Sequence, residues 1–211
     1  EYVELQKIAR EEQRKCCPDA KLLTGGFATM YERTTKKGFQ EYSLKHGRGS
    51  YDVHAFHGHG GFEHYSRQIE TLFLPMRRKL NITEPWFANE TAVSSYGIGE
   101  TEQGIILFKK FLYSWANGAI GYNWYNLRNN GFIVNNPEHN YGLVTCDFYP
   151  KTAYVVYNTL ATLYRGKKFM RALPSESGAR IYEFASSRNI LFGGWADPLK
   201  EKHEENAVFY S

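Results

Sequence analysis

The chain has 211 residues, 42% of them hydrophobic, with 26 basic and 22 acidic side chains and a net charge of +4. That length suits one sizeable core, and the mild basic excess forms no Lys/Arg tract of the kind that marks a nucleic-acid partner. No apolar run approaches the ~20 residues of a membrane helix, and Cys16, Cys17 and Cys146 make neither a CxxC nor a zinc spacing, so idle thiols are expected.

The first element is an amphipathic helix from Tyr2 to Cys16, ended by Pro18. The chain enters it at once, so its beginning reads as a truncation. Lys21-Leu22-Leu23-Thr24 forms a short predicted strand stopped by Gly25-Gly26, and a second helix runs from Thr35 to His46. Residues 51–57 alternate as a strand and end in Gly58; a long helix covers about 64–80. Trp86-Phe87-Ala88-Asn89-Glu90 is the third strand, 101–117 the next helix, 119–125 the fourth strand and 151–164 the last clear helix. Strands alternating with helices imply parallel strands joined by crossovers. Four strands with their helices occupy residues 2–164; against the roughly 250 residues of a full eight-unit barrel this count fits half a barrel, and it also fits a small open doubly wound sheet. From Ser177 the pattern changes: 180–184 and 189–195 alternate as short strands about a Ser-Ser-Arg-Asn turn, followed by a charged stretch, 197–206. The expected organisation is a catalytic region, 1–172, and a partial β-sandwich-like appendage, 173–211.

Functional groups of a parallel α/β fold gather at the C-terminal ends of its strands. These ends carry Thr24; His54 and His57, with His59 just beyond; Asn89 and Glu90; and Asn123, Trp124, Tyr125 and Asn126. Carboxylates and amides hydrogen-bond hydroxyls, and aromatic faces stack on the apolar face of a pyranose. The 16 Tyr, 14 Phe and 4 Trp exceed what the core needs and suit such a surface. Glu90 stands out, because an unpaired carboxylate ending an apolar strand costs several kcal/mol when buried. Pairing with Arg128, or a capping role, is the structural alternative. His57-x-His59 with Glu63 matches only the first part of a metal motif built on antiparallel strands, and Glu63 opens a helix here; His59 and His64 read as surface loop residues. Trp86 and Trp115 read as core. Asn81-Ile82-Thr83 and Asn89-Glu90-Thr91 fit a glycosylation sequon that is common by chance.

Pro85-Trp86-Phe87-Ala88-Asn89-Glu90-Thr91-Ala92 resembles the nucleophile strand of clan A glycoside hydrolases. Gly99-Glu100-Thr101-Glu102-Gln103 is similar to the helix start that follows it, and Gly118 to Tyr125 is similar to the eighth barrel strand with its substrate-stacking Trp. Tyr141-Gly142-Leu143, Asp147 and Pro150-Lys151-Thr152-Ala153-Tyr154 resemble the end of that barrel; the segments 17–26 and 51–57 resemble its fifth and sixth strands. The resemblance covers nearly the whole chain, nearest to the β-xylosidase and α-L-iduronidase group or to related cellulases and β-galactosidases. It implies an α/β fold, the C-terminal half (strands 5–8) of a TIM barrel, and a retaining two-carboxylate mechanism. Glu90 is then the nucleophile, with His57, Asn89, Tyr122 and Trp124 binding substrate, no metal and no cofactor. It also implies a glycoside or oligosaccharide substrate and a secreted, periplasmic or lysosomal setting. The acid/base Glu and strands one to four have no match, so either the missing N-terminal half-barrel or a second copy of the chain is expected as partner. A non-catalytic carbohydrate-binding barrel fragment and a His-rich metal-dependent enzyme are the alternative functions.

Overall fold

Three short segments rich in apolar residues pair as a parallel sheet in the order β1-β2-β3: β1 (His54–His59), β2 (Trp86–Ala92) and β3 (Ala119–Trp124). The computed structural model describes residues 1–27, 38–175 and 179–196. Helix α1 (Tyr2–Cys16) and α2 (Phe39–His46) precede the sheet. The part of the expected second helix that begins at Thr35 lies outside the described residues. Between β1 and β2 one continuous helical run comprises α3 (Phe62–Gln68), a π turn (Ile69–Phe73) and α4 (Leu74–Lys79). Pro75 accounts for the π turn: its ring clashes with the carbonyl four residues back and it lacks an N–H, and a widened turn relieves both. Helix α5 (Gly99–Ala116) links β2 to β3, and α6 (Thr152–Leu163) follows β3. Sequential parallel neighbours joined by helices are the βαβ pattern that the alternation of elements predicts.

The first expected strand is not regular. Leu23 and Phe27 make only isolated parallel bridges, to Val53 and Phe56. Backbone bonds join it to β1 and the residues before it, the Thr24 N–H donating to the Val53 carbonyl at 2.9 Å and the Asp52 N–H to the Leu22 carbonyl at 2.7 Å. Side chains add to them: the Ala55 N–H donates to Thr24 Oγ1 at 2.9 Å, and the Leu22 N–H donates to Asp52 Oδ2 at 2.8 Å. Arg10 pairs with the same carboxylate at 2.9 Å, and this bond holds Asp52 below its ordinary value.

The main core lies between the sheet and its helices. Phe56 and Phe73 have ring centroids 4.9 Å apart, Phe73 and Trp86 5.0 Å, and all three are essentially buried. The Trp86 Nε1–H donates to the Asn117 carbonyl at 2.9 Å, so its polar handle is satisfied. Helix α5 buries Gln103, Leu107, Lys110, Phe111 and Ser114, a stripe at three- and four-residue spacing. Trp115 is half-buried and stacks on Phe111 at 5.6 Å. His54 is wholly buried. Its Nδ1 accepts from Arg77 at 3.1 Å, and burial pushes its pKa down to about 3.

The chain divides into two compact units, Glu1–Arg165 and Gly166–Ser211. The second contains an antiparallel sheet in the order β4 (Lys168–Leu173), β5 (Ala179–Ala185) and β6 (Ile190–Ala196). Tyr182 and Phe184 are buried side chains of this sheet, and the Ser-Ser-Arg-Asn turn closes with the Ser186 N–H donating to the Asn189 carbonyl at 3.0 Å. Strand β4 escapes a periodicity reading because most of its residues are exposed. The charged stretch 197–206 lies outside the described residues. All three cysteines are free thiols. Among the described residues no helix is long and apolar enough to cross a membrane.

Candidate functional site

The C-terminal ends of β1 and β2 set two imidazoles against one carboxylate. His57 and His59 stand two residues apart on β1 and so share a face. Glu90 reaches that face because β2 carries one extra residue there. Phe56 pairs with Ala88 but His57 pairs with Glu90, which leaves Asn89 unmatched; on the other side Ala88 pairs with Tyr122 and Thr91 with Trp124. A strict alternation would put Asn89, not Glu90, opposite His57. The bulge re-aims the side chain, as bulges beside functional sites do.

His59 Nε2 lies 2.9 Å from Glu90 Oε1, the ring N–H donating to the carboxylate, and His57 Nδ1 lies 3.9 Å from the same oxygen. The Glu90 and His59 side chains are 36% and 38% exposed and His57 only 18%, so the carboxylate is reachable while one of its neighbours is sunk. Burial holds the His57 pKa below the ordinary imidazole value, against the opposing pull of Glu90. Gly26 seats the ring from behind: a Cβ there would stand 1.9 Å from His57 Nε2, so no other residue leaves room for it. Tyr125 and Tyr141 flank His59, with centroids 6.0 and 6.4 Å away, and lie 5.7 Å from one another.

Beneath the strand ends lies Lys110 of α5, fully buried. Its Nζ donates to the Gly58 carbonyl at 2.9 Å and the Ala92 carbonyl at 3.1 Å, and stands 5.0 Å over the Tyr65 ring. Burial pulls its pKa down to about 7. These bonds pin β1 between the two histidines and β2 two residues past Glu90.

A cleft of about 320 Å³ opens beside the carboxylate, lined by Asn89, Glu90, Asn123, Trp124, Tyr125 and Leu143 among others. Asn89 Oδ1 is buried in its wall and accepts no hydrogen bond from the protein. Two larger hollows, of 630 and 650 Å³, lie on α1 with α2 and on the loops around Tyr96 and Phe132; neither borders Glu90, so chemistry rather than size singles out the smaller cleft.

Of the residues singled out in the sequence, Glu90, His57 and Asn89 come together here. Trp124 lines the cleft, but its ring is only 8% exposed and its Nε1–H donates to the Tyr141 carbonyl at 2.8 Å, so it offers little open face. Tyr122 does not join the site. It points to the helix side of the sheet, 5.5 Å from Phe111, and burial raises its phenol well above the usual value. Arg128 does not pair with Glu90: its Nε–H donates to the Cys146 carbonyl at 2.7 Å and its guanidinium lies over Phe148. His59 is a strand residue bonded to Glu90, not a loop residue. The expected strand end at Gly58 is overturned because that glycine answers a packing need: a Cβ there would stand 2.1 Å from the Tyr65 ring. The i, i+2 spacing of the two histidines was the available signal. Tyr125 and Tyr141 are the aromatic neighbours that sequence reasoning underweighted.

No family model matches the chain, and no curated protein sequence matches it. Among solved structures it is similar to a family 39 glycoside hydrolase from the gut symbiont Bacteroides cellulosilyticus WH2, with TM-score 0.69 and 20% identity over 93% of this chain and 44% of that one. It is also similar to an FMN-binding β-glucuronidase from Facaelibacterium prausnitzii L2-6, with TM-score 0.53 and 10% identity over 92% of this chain and 34% of that one. The fold is glycoside hydrolase-like, and the parallel sheet with its helices fits a fragment of a TIM barrel. The chain spans less than half the length of either structure.

Proposed function

We propose that this chain is the C-terminal half of a retaining glycoside hydrolase barrel and that Glu90 is its nucleophile. The observation that carries the reading is the placement of Glu90: a two-on-one bulge turns its carboxylate to the mouth of a parallel sheet, where His59 holds Oε1 at 2.9 Å beside an aromatic and amide-lined cleft. A nucleophile must be oriented yet remain reactive, and an imidazole hydrogen bond orients without the fixed charge of an Arg or Lys partner.

In the proposed reaction Glu90 attacks the anomeric carbon and forms a glycosyl-enzyme while a second carboxyl group protonates the leaving oxygen. Water, activated by that second group, then breaks the ester. Retaining enzymes hold the two carboxyls about 5–5.5 Å apart. The second carboxyl comes from the N-terminal half-barrel, or, in an assembly of two copies, from the partner copy. The same partner covers the edges of the parallel sheet. The unbonded Asn89 Oδ1 suits a sugar hydroxyl donor, and Tyr125 suits a pyranose face.

The test is Glu90→Gln in the intact protein, assayed on a panel of aryl glycosides. The expected result is a fall in kcat of more than about 10³-fold with oligosaccharide binding largely kept. Turnover comparable to the parent refutes the role of Glu90. A parent that binds oligosaccharide and turns over no glycoside points instead to a non-catalytic carbohydrate-binding barrel.

A further inference from the structure

The same three side chains have a second chemistry. One ring nitrogen each of His57 and His59 and a carboxylate oxygen of Glu90 all lie within 4.8 Å of one another; His59 Nε2 is 2.9 Å and His57 Nδ1 3.9 Å from Glu90 Oε1. Ligand atoms around a tetrahedral Zn²⁺, with bonds of about 2.0–2.1 Å, are roughly 3.3 Å apart. The two spacings to Glu90 bracket that figure and the third is at most 4.8 Å, so a rotation of the side chains would close the set on an ion.

We infer that His57, His59 and Glu90 form a site for a divalent transition metal, Zn²⁺ by the nature of its donors, at the mouth of the sheet. Two imidazole nitrogens and one carboxylate oxygen suit zinc and its neighbours; the all-oxygen preferences of Mg²⁺ and Ca²⁺ disfavour them. Three features show the set is built rather than incidental. Strand pleating puts both histidines on one face, and the bulge puts Glu90 rather than Asn89 opposite them. Gly26 presses against His57 Nε2 and leaves Nδ1 as the nitrogen nearest Glu90. Lys110 pins both strand ends through Gly58 and Ala92, so the frame carrying the donors is tied on each side. The ion would take the place of the proton shared between His59 Nε2 and Glu90 Oε1, released to solvent. Its remaining positions would be filled by water from the cleft.

The inference concerns binding and stands apart from glycoside turnover. Where Glu90 serves as nucleophile, ion and sugar exclude each other, so Zn²⁺ would act as an inhibitor competitive with the glycoside.

The experiment is calorimetric titration of the untagged, chelator-stripped full chain with ZnCl₂, repeated with Co²⁺ and read by visible absorption. One ion per chain and the intense band of four-coordinate Co²⁺ are expected, with affinity falling at least about tenfold in His59→Asn and in Glu90→Gln, a loss of about 1.4 kcal/mol. Glu90→Gln is isosteric and decides the matter if His59→Asn fails to fold. Failure of the parent to bind zinc, or binding unchanged in both folded variants, overturns the site. Neither result touches the glycosidase reading, which rests on turnover of Glu90→Gln in metal-free buffer.

Discussion

Lys110 makes a demand on the pH dependence of stability that can be worked out beforehand. Its ammonium is fully buried beside Tyr65 and two carbonyls, and burial lowers its pKa from 10.5 to about 7. The folded chain therefore releases this proton near neutrality, whereas the unfolded chain keeps it to beyond pH 10. Between those limits the unfolded state binds more protons, so stability rises with pH. Integrating over that interval, raising the pH from about 7 to about 9 adds roughly 2 kcal/mol to the unfolding free energy. Lys110→Met removes the titrating group and nearly fills its volume, at the cost of leaving the Gly58 and Ala92 carbonyls without their donor. Urea unfolding of parent and variant at both pH values reads the difference, and subtracting the two chains cancels every other titration. The parent should gain about 2 kcal/mol more than the variant over this interval. Equal gains in the two would show that the carbonyls and the Tyr65 ring hold the ammonium charged throughout, and the reasoning from burial would fail.

Two further outcomes follow from single contacts. Gly26→Ala places a methyl 1.9 Å from His57 Nε2, so His57 must leave its seat; the variant should weaken any ligand of the Glu90 cluster, zinc in the titration above included, by at least about tenfold while keeping the parent's far-UV circular dichroism. His54 is neutral down to about pH 3 in the folded chain and titrates near 6.5 when unfolded, so its contribution is present above 6.5 and is lost as the pH falls. That loss is roughly 2 kcal/mol between about pH 6.5 and 4.5, measured by urea unfolding, and His54→Gln should flatten it.

The order of helices and strands was legible because most elements obey one period. β2 and α5 read directly, the first from its apolar run after Pro85, the second from its stripe of Leu107, Phe111 and Ser114. The failures have local causes. The segment around Leu23 pairs only through isolated bridges and makes part of its bonds through Thr24 and Asp52 side chains, which no hydropathy pattern records. Gly58 looks like a strand terminator and is a clearance for Tyr65 inside the strand. Tyr122 and Trp124 sit at strand positions where alternation alone does not say which face is the cleft, and both turn largely inward to the protein. At Glu90 the residue could be picked out, but the extra residue that aims it could not, because a bulge is a property of a strand pair and is written in neither strand alone.

The cations around the carboxylate complete the picture. Lys110 approaches from the helix side and spends its protons on backbone carbonyls, and Arg128 is engaged by Cys146 and Phe148. Among the described residues the charged or chargeable partners of Glu90 are the imidazoles of His57 and His59. A permanent ion pair would spend the carboxylate's negative charge within the scaffold. Two imidazoles orient it and leave that charge to whatever enters the cleft, and the candidates are an anomeric carbon developing positive charge or a metal ion. Both visitors need the bulge that turns Glu90 outward and the glycine that seats His57, which is why one small region of the sheet supports both chemistries and why the two must compete.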